Sequence, residues 1–197
     1  DKGSDQLNTL IVAFLGDNVK TYHQNYLKLL DGLTLSCPQC QGSCHSHGWR
    51  GRHVYDDLTH SVIKVLRVKC LKCGRIHTVL PDFLRPHGRY VQCIREPATS
   101  AVNKGEAAEQ VARRMGLDPE TIRRWVRQLT ERLELVKAAL RSLLARLQQT
   151  VPLYEGHPTL KQICESIIRA IARLPASSSL FGLVNILLAG FGFRLWI

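Results

Sequence analysis

The chain has 197 residues, of which 45% are hydrophobic, which suffices for one sizeable core or a few small modules and excludes disorder over the whole length. Its net charge of +11 indicates a polyanionic partner, and the charge is uneven, with −1 over residues 1–40, +6 over 41–100, +4 over 101–150 and +2 over 151–197. A basic excess in the middle hundred residues is typical of a nucleic-acid-binding surface, and a solvated basic face is the alternative.

Residues 5–35 carry apolar side chains at helical spacing and predict two short helices that are interrupted at Gly16. The run LIVAFL, residues 10–15, could instead form a buried strand, because a short apolar run does not distinguish the two structures. The segment has no positive excess. We therefore expect packing or partner contacts from it, and no nucleic-acid contacts.

Four of the seven cysteines form two C-x-x-C pairs, Cys37 with Cys40 and Cys70 with Cys73. An odd number of cysteines with this pairing favours metal binding in a reducing compartment over a disulfide framework. Each pair can present two thiolates to one tetrahedral Zn²⁺, if strands around residues 50–55 and 62–69 bring the two turns together. Four cysteines close the coordination sphere, so the predicted zinc is structural and not catalytic.

Several other residues compete for this assignment. Cys44 or His77 could replace one ligand, since imidazole binds zinc as well as thiolate does. A zinc knuckle that uses His45 fails because its fourth position is an arginine. A redox function fits poorly, since two pairs flanked by strands do not resemble a thioredoxin-like site. Cys93 and Cys164, alone in amphipathic stretches, are predicted to be small core residues.

The segment after the second pair continues the ribbon and leads into a helical unit. IHTVLP predicts a third strand that ends at Pro81, which gives a three-stranded zinc ribbon. Residues 90–95 could begin the first helix of a trihelical DNA-binding unit, with residues 97–105 as the connection. Residues 106–115 then form the supporting helix, and the recognition helix follows from residue 118 onward.

The sequence AEQVARRMGLDPETIRRWVR, residues 108–127, predicts a helix-turn-helix. Ala112 is small where the helices would cross, Gly116 lies where the turn needs a positive φ, and Ile122 is apolar where the second helix packs back. Asp118 is a good N-cap, and the proline after it suits the first helical position. Agreement at these independent positions makes the motif specific.

The N-terminal turns of the second helix in such a motif enter the major groove of DNA. An arginine there can bind a guanine edge or only neutralise phosphate, and Glu120 can accept from cytosine or only serve the helix dipole. Trp125 is predicted to lie in the core. The predicted groove contacts are Glu120, Thr121, Arg123, Arg124 and Arg127. The predicted phosphate contacts, with simple solvation as the alternative, are Arg113, Arg114, Lys64, Arg67, Lys69, Lys72 and Arg75.

Apolar residues continue after the motif at alternating spacings of four and three, from Ile122 to Leu147. This pattern predicts one long helix to about Gln149. A homodimeric coiled coil through residues 122–150 is one interpretation, and packing in a helical bundle is the other. The width of the apolar stripe favours the bundle, in which residues 158–174 would form the partner helix.

The last 21 residues, SSSLFGLVNILLAGFGFRLWI, approach a membrane span in apolar length. Asn185, Arg194 and three glycines interrupt them. We therefore expect a buried C-terminal helix or an oligomer contact, and no membrane anchor.

The pairs CPQC and CLKC, the strand HTVLP and the helix-turn-helix together show a family resemblance. Residues 36–130 resemble the zinc-ribbon plus helix-turn-helix segments of bacterial insertion-sequence transposases and related uncharacterised bacterial proteins. The resemblance implies DNA binding at the ends of a mobile element. About 65 residues follow, too few for a ribonuclease-H-like domain, and Glu155 and Glu165 complete no acidic triad, so no enzymatic activity is expected.

The sequence as a whole predicts a mainly α protein with a small β zinc ribbon. Its segments are an N-terminal helical segment (5–35), the ribbon (36–85), the DNA-binding domain (88–130) and a C-terminal helical assembly region (131–197). The predicted function is site-specific binding of double-stranded DNA by a zinc-stabilised protein, which acts as a transcriptional regulator or mobile-element accessory. The predicted localisation is cytoplasmic, in association with the nucleoid. A homodimer or a partner protein is compatible with this function. The alternative is a protein-interaction adaptor that docks through the ribbon and helices.

Overall fold

The computed structural model describes residues 9–31, 33–56, 59–146, 159–170 and 179–190. These residues form one four-stranded sheet and six helices, a mixed α/β architecture in which helices predominate. The strands are β1 (Thr9–Ala13), β2 (Cys44–Asp56), β3 (Thr59–Cys70) and β4 (Ile76–Pro81). The helices are α1 (Val19–Asp31), α2 (Gln92–Asn103), α3 (Ala108–Met115), α4 (Pro119–Arg146), α5 (Leu160–Ala170) and α6 (Leu180–Gly190).

The sheet has the strand order β1-β4-β3-β2. Strands β2, β3 and β4 are antiparallel neighbours and include the three strands that the sequence predicts. The predicted first N-terminal helix is wrong, because β1 occupies that stretch and pairs in parallel with β4. Val79 and Leu80 of β4 are both fully buried, so β4 is a central strand that needs a neighbour on each edge. The apolar run of β1 provides the second neighbour, and the ribbon becomes part of a four-stranded sheet.

The second predicted N-terminal helix is confirmed as α1, which packs on the sheet. The Asn18 side chain caps it by accepting a 2.9 Å hydrogen bond from the Thr21 backbone N–H. The Tyr22 hydroxyl, buried under the helix, donates a 2.6 Å hydrogen bond to the Lys64 carbonyl. Burial raises the pKa of Tyr22, with a smaller contribution from Tyr26. This buried bond fixes α1 against β3.

Helix α2 is longer than the sequence predicts. The sequence predicts that residues 97–105 connect two helices, but α2 continues through Pro97 to Asn103. Proline removes one helical hydrogen bond and clashes with the preceding turn. Burial of Ala98, Thr99 and Ala101 beyond the proline favours continuing the helix. Cys93, predicted as a core residue, is exposed because it lies on the opposite face of the helix from these residues.

Two hydrophobic cores share α4. The first joins the sheet, α1, α2, α3 and the beginning of α4, and it contains Ile122 and Trp125 as predicted. The second lies between the later part of α4, α5 and α6, and it contains Leu140 and Cys164. The helix runs without a break through residues 128–132, which confirms one continuous helix to Arg146. Residues 147–149 of the predicted helix lie outside the described residues.

The described helices near the C-terminus, α5 and α6, pack against the later part of α4, and the predicted bundle arrangement as a whole stays a prediction. Helix α5 lies within the predicted range 158–174, of which residues 158 and 171–174 are outside the described residues. Helix α6 is buried, and Ile186 and Ala189 contact Val12 of β1. In the part of the chain that the structure describes, no helix has the length and apolar character to cross a membrane. The division into four segments stays a prediction.

Candidate metal centre and nucleic-acid interface

The two C-x-x-C pairs lie on two tight loops of similar conformation. In the first loop the Gln41 backbone N–H donates to the Cys37 carbonyl at 2.9 Å, and in the second the Gly74 N–H donates to the Cys70 carbonyl at 3.0 Å. Gln41 and Gly74 both have a positive φ, of 57° and 70°. The second loop lies between β3 and β4, and the first precedes β2, so pairing of β2 with β3 brings the loops together.

The four sulfur atoms lie within 4.8 Å of one another. The Sγ atoms of Cys37 and Cys73 are 3.7 Å apart, and those of Cys40 and Cys70 are 3.5 Å apart. Four thiolates about 2.3 Å from a tetrahedral zinc would lie about 3.8 Å from each other, whereas a disulfide needs about 2.05 Å. The spacing therefore fits four ligands of one metal ion and no disulfide.

Backbone N–H groups of the loops point at the sulfurs. The N–H groups of Lys72 and Cys73 approach the Cys70 sulfur at 3.3 and 3.4 Å, and that of Gln39 approaches the Cys37 sulfur at 3.4 Å. Hydrogen bonds from Cys73 and then Lys72 lower the pKa of Cys70 to about 6. Because thiolate and not thiol binds metal, these donors favour the metal-binding form of Cys70.

His77 and Cys44, the two alternative ligands, lie outside the group of four cysteine sulfurs. The buried His77 has its Nε2 atom 3.3 Å from the Cys37 sulfur, and the Cys44 sulfur lies 3.9 Å from the Gly42 carbonyl. His77 can therefore hydrogen-bond to a ligand and orient it, as groups behind a metal's direct ligands do. His45 is exposed.

The helix-turn-helix has the geometry that the sequence predicts. Gly116 adopts the left-handed conformation, with φ 64° and ψ 30°, between α3 and α4. Ala112 and Ile122 are buried where the two helices pack. The Asp118 carboxylate accepts a hydrogen bond from the Thr121 backbone N–H at 3.0 Å, so Asp118 caps α4.

The predicted groove residues lie on the first turns of α4, exposed except for the half-buried Thr121. Arg123 contacts the carboxylates of both Glu109 and Glu120, and Arg127 lies 3.7 Å from Glu120. No ion pair involves Arg124 in the described part of the chain. Exposed ion pairs are weak because water screens their charges, so a phosphate could displace these carboxylates. Among the three arginines of these turns, Arg124 is therefore the one that no described carboxylate holds.

The predicted phosphate contacts lie on two separate parts of the fold. On α3, Arg113 is exposed, and Arg114 forms a 2.6 Å ion pair with Glu106. On the second cysteine loop, Arg75 donates a 2.6 Å hydrogen bond to the Gln39 side chain. The remaining predicted contacts lie on β3 and this loop: Lys64, Lys69 and Lys72 are exposed, and Arg67 is half-buried. Their DNA contacts stay predictions.

The structure adds a basic cavity that sequence reasoning missed. Its volume is about 530 Å³, and it lies between the end of β2, the loop of residues 85–90 and the beginning of α4. Four of the residues that line it are arginines: Arg85, Arg89, Arg95 and Arg124. The first three fall within eleven residues of the sequence, which is the signal that could have indicated them.

Comparison with known families supports the helix-turn-helix. Residues 88–166 match a family model described as "Transposase", and residues 37–125 match one described as "Domain of unknown function (DUF6431)". The helix-turn-helix is transposase-like. No curated protein and no solved structure matches the chain. The transposase-like segment extends from the loop of residues 85–90 into α5 and indicates a DNA-binding, transposase-related function.

Proposed function

We propose that this chain binds a specific site on double-stranded DNA through the transposase-like helix-turn-helix, and that a structural zinc ion stabilises it. The observation that carries the proposal is the exposed, capped and arginine-bearing start of α4 behind the left-handed Gly116. Such a helix end fits the major groove. The protein acts as a mobile-element accessory or transcriptional regulator, without a catalytic step of its own.

The arginines of α4 have different roles in this proposal. Arg124 has no ion pair within the described residues, so its guanidinium can bind a guanine edge through two hydrogen bonds or hold a phosphate. Arg123 is held by Glu109 and Glu120 in the absence of DNA. These carboxylates restrict its rotamers and release it when a phosphate replaces them. Glu120 either keeps this orienting role or accepts a hydrogen bond from cytosine.

The zinc in this proposal has a structural role. Four thiolates fill a tetrahedral coordination sphere, which leaves no position for water or substrate. Cys37 and Cys40 precede β2, Cys70 is the last residue of β3 and Cys73 follows it, so the bound ion closes the open end of the β2-β3 hairpin. Metal binding and folding of the sheet are then coupled.

Arg124→Met tests the DNA-binding helix. Sites are first selected from random duplexes with the native chain, and affinities are then measured by fluorescence anisotropy at several salt concentrations. Loss of one bidentate base contact should weaken specific binding by about 1–3 kcal/mol. Arg141→Met is the matched control, since Arg141 is exposed near the far end of the same helix. Equal binding by both variants would refute the proposed role of Arg124.

The same titration tests the alternative function. Absence of any salt-dependent DNA binding by the native chain would favour the adaptor function.

Cys73→Ser tests the metal centre, with Cys93→Ser as its control, because both cysteines are exposed. We expect one zinc per native chain by elemental analysis, and a cobalt-substituted spectrum typical of four thiolates. Cys73→Ser should lose most of the metal affinity, and Cys93→Ser should keep it. Native chain purified without bound metal that also fails to take up Co²⁺ would contradict the centre.

A further inference from the structure

The basic cavity has an unusual lining. Four of the residues that line it carry guanidinium groups, and none of the described residues that line it is acidic. No ion pair joins Arg85, Arg89, Arg95 or Arg124 to a carboxylate within the described part of the chain. Its volume of about 530 Å³ is in the range of small-molecule sites, which are about 300–1,000 Å³. The positive charge of the cavity is therefore not neutralised by the described residues.

Arg95 is a buried arginine whose guanidinium donors can bind an anion. Its side chain is only 2% exposed, yet Nε, Nη1 and Nη2 all lack a hydrogen-bond partner. Its guanidinium lies 5.7 Å from the centre of the Phe181 ring, a contact that satisfies none of its N–H groups. Burial first, and then the charges of Arg85 and Arg132, together lower the pKa of Arg95 to about 9. Arg95 thus remains mostly protonated at neutral pH as a buried cation whose donors are free.

Two neighbouring arginines complete a set of donors around the same space. Arg85 donates from Nη1 to the Gln128 side chain at 2.8 Å, and its buried Nε has no partner. Burial also lowers the pKa of Arg85, with Arg132 adding to the effect. Arg124 lines the cavity from the opposite element, α4. The charges of Arg85 and Arg132 repel that of Arg95, and an anion in the cavity would offset this repulsion.

We propose that this cavity binds a phosphate group, with Arg95 at its base and Arg85 and Arg124 at its sides. Phosphate offers several acceptor oxygens in a geometry that matches the planar fork of guanidinium donors. The group can belong to a free phosphate or phosphate ester, or to a phosphodiester of DNA lying on α4. Binding of a DNA phosphodiester rests on the proposed function, and binding of a free phosphate or phosphate ester does not.

Thermal unfolding without DNA tests the cavity. The probe is inorganic phosphate, compared with sodium chloride at equal ionic strength. The unfolding temperature of the native chain should rise with phosphate and saturate, as expected for ligand binding. Arg141→Met should show the same rise, and Arg95→Met should show only the small, non-saturating effect of phosphate on any protein.

Arg95→Met should also fold, because it replaces an unpartnered buried cation with an apolar side chain of similar length. In chloride its unfolding temperature should equal or exceed that of the native chain. If it does not fold, Arg85→Met provides the same comparison, since Arg85 is only half-buried. An equal, non-saturating response of the native chain and these variants would overturn the proposal.

A salt titration of DNA binding then separates the two sources. If a DNA phosphodiester occupies the cavity, Arg95→Met should reduce the slope of log affinity against log salt by about one unit, and phosphate should compete with DNA. If a free phosphate occupies it, the slope should stay unchanged, and phosphate should still stabilise the DNA complex. A saturable phosphate response in a chain that binds no DNA would support the cavity and refute only the proposed function.

Discussion

Gly42 lies where the two cysteine loops meet, and its missing side chain allows their close approach. A Cβ atom at this position would lie 2.7 Å from Lys72 Cβ and 3.2 Å from Cys70 Sγ. Lys72 Cβ is fixed to the backbone of the second loop, so it moves only if that loop moves. Residue 42 therefore limits how close the four sulfurs can come.

Gly42→Ala should weaken zinc binding and destabilise the protein by about 1–3 kcal/mol, the usual cost of overpacking a tight site. Competition with a colorimetric chelator measures the affinity, and urea unfolding measures the stability. Gly51→Ala is the control, because a Cβ there meets Val62 at an ordinary 3.4 Å. Native zinc affinity and stability in Gly42→Ala would mean that the loops do not approach as described.

Individual residues differ in how far the sequence predicts them. Gly116 and Asp118 act on their own turn, so motif spacing identifies both. Gly42 and Arg95 act through atoms that are distant in sequence, and only the folded chain brings those atoms close. The amphipathic stretch around Cys93 predicts a core position for it, but α2 buries its other face.

At the level of elements, α2 shows packing overriding local preference. Pro97 is exposed and leaves one helical carbonyl without its usual N–H donor, while the residues that follow are buried. Strand β1 shows the same effect, since its apolar run is equally compatible with a helix. The run forms a strand because it pairs with the edge of β4 that β3 leaves free.

Pro97→Ala should stabilise the protein by up to about 3 kcal/mol, reduced by the greater entropy of the unfolded chain. The substitution restores a backbone hydrogen bond and removes a ring that packs against little. Pro119→Ala is the contrasting variant, since Pro119 is the first residue of α4, where proline is favourable. Urea unfolding should show a gain for the first and none for the second. A loss of stability in Pro97→Ala would show that the ring contributes to packing.

In the whole molecule, α4 joins the proposed DNA-contacting turns to the second core. Its first turns carry the proposed groove residues, and its later turns pack against α5 and α6. The apolar residues that suggested a coiled coil, including Val136 and Leu143, are buried within this chain. A dimer through residues 122–150 would need other surfaces of the helix, such as that around the exposed Leu135, and stays a prediction.

Leu140→Ala should destabilise the protein by about 2–5 kcal/mol, because Leu140 is fully buried between α4 and its partner helices. Leu135→Ala should change stability by less than about 0.5 kcal/mol, since that side chain is 58% exposed. Urea unfolding followed by circular dichroism measures both. A large loss in Leu135→Ala instead would indicate that Leu135 is buried in an oligomer.

The sequence by itself determined the features that depend on neighbouring residues. The two C-x-x-C pairs, the capped helix-turn-helix and the continuous α4 follow from spacing, capping and periodicity within one or two turns of chain. Only the tertiary structure decided the pairing of β1 with β4, the passage of α2 through Pro97 and the convergence of Arg85, Arg95 and Arg124 on one cavity. Each of these depends on contacts between segments that are distant in sequence. The free energy of such contacts cannot be read from the pattern of neighbouring residues.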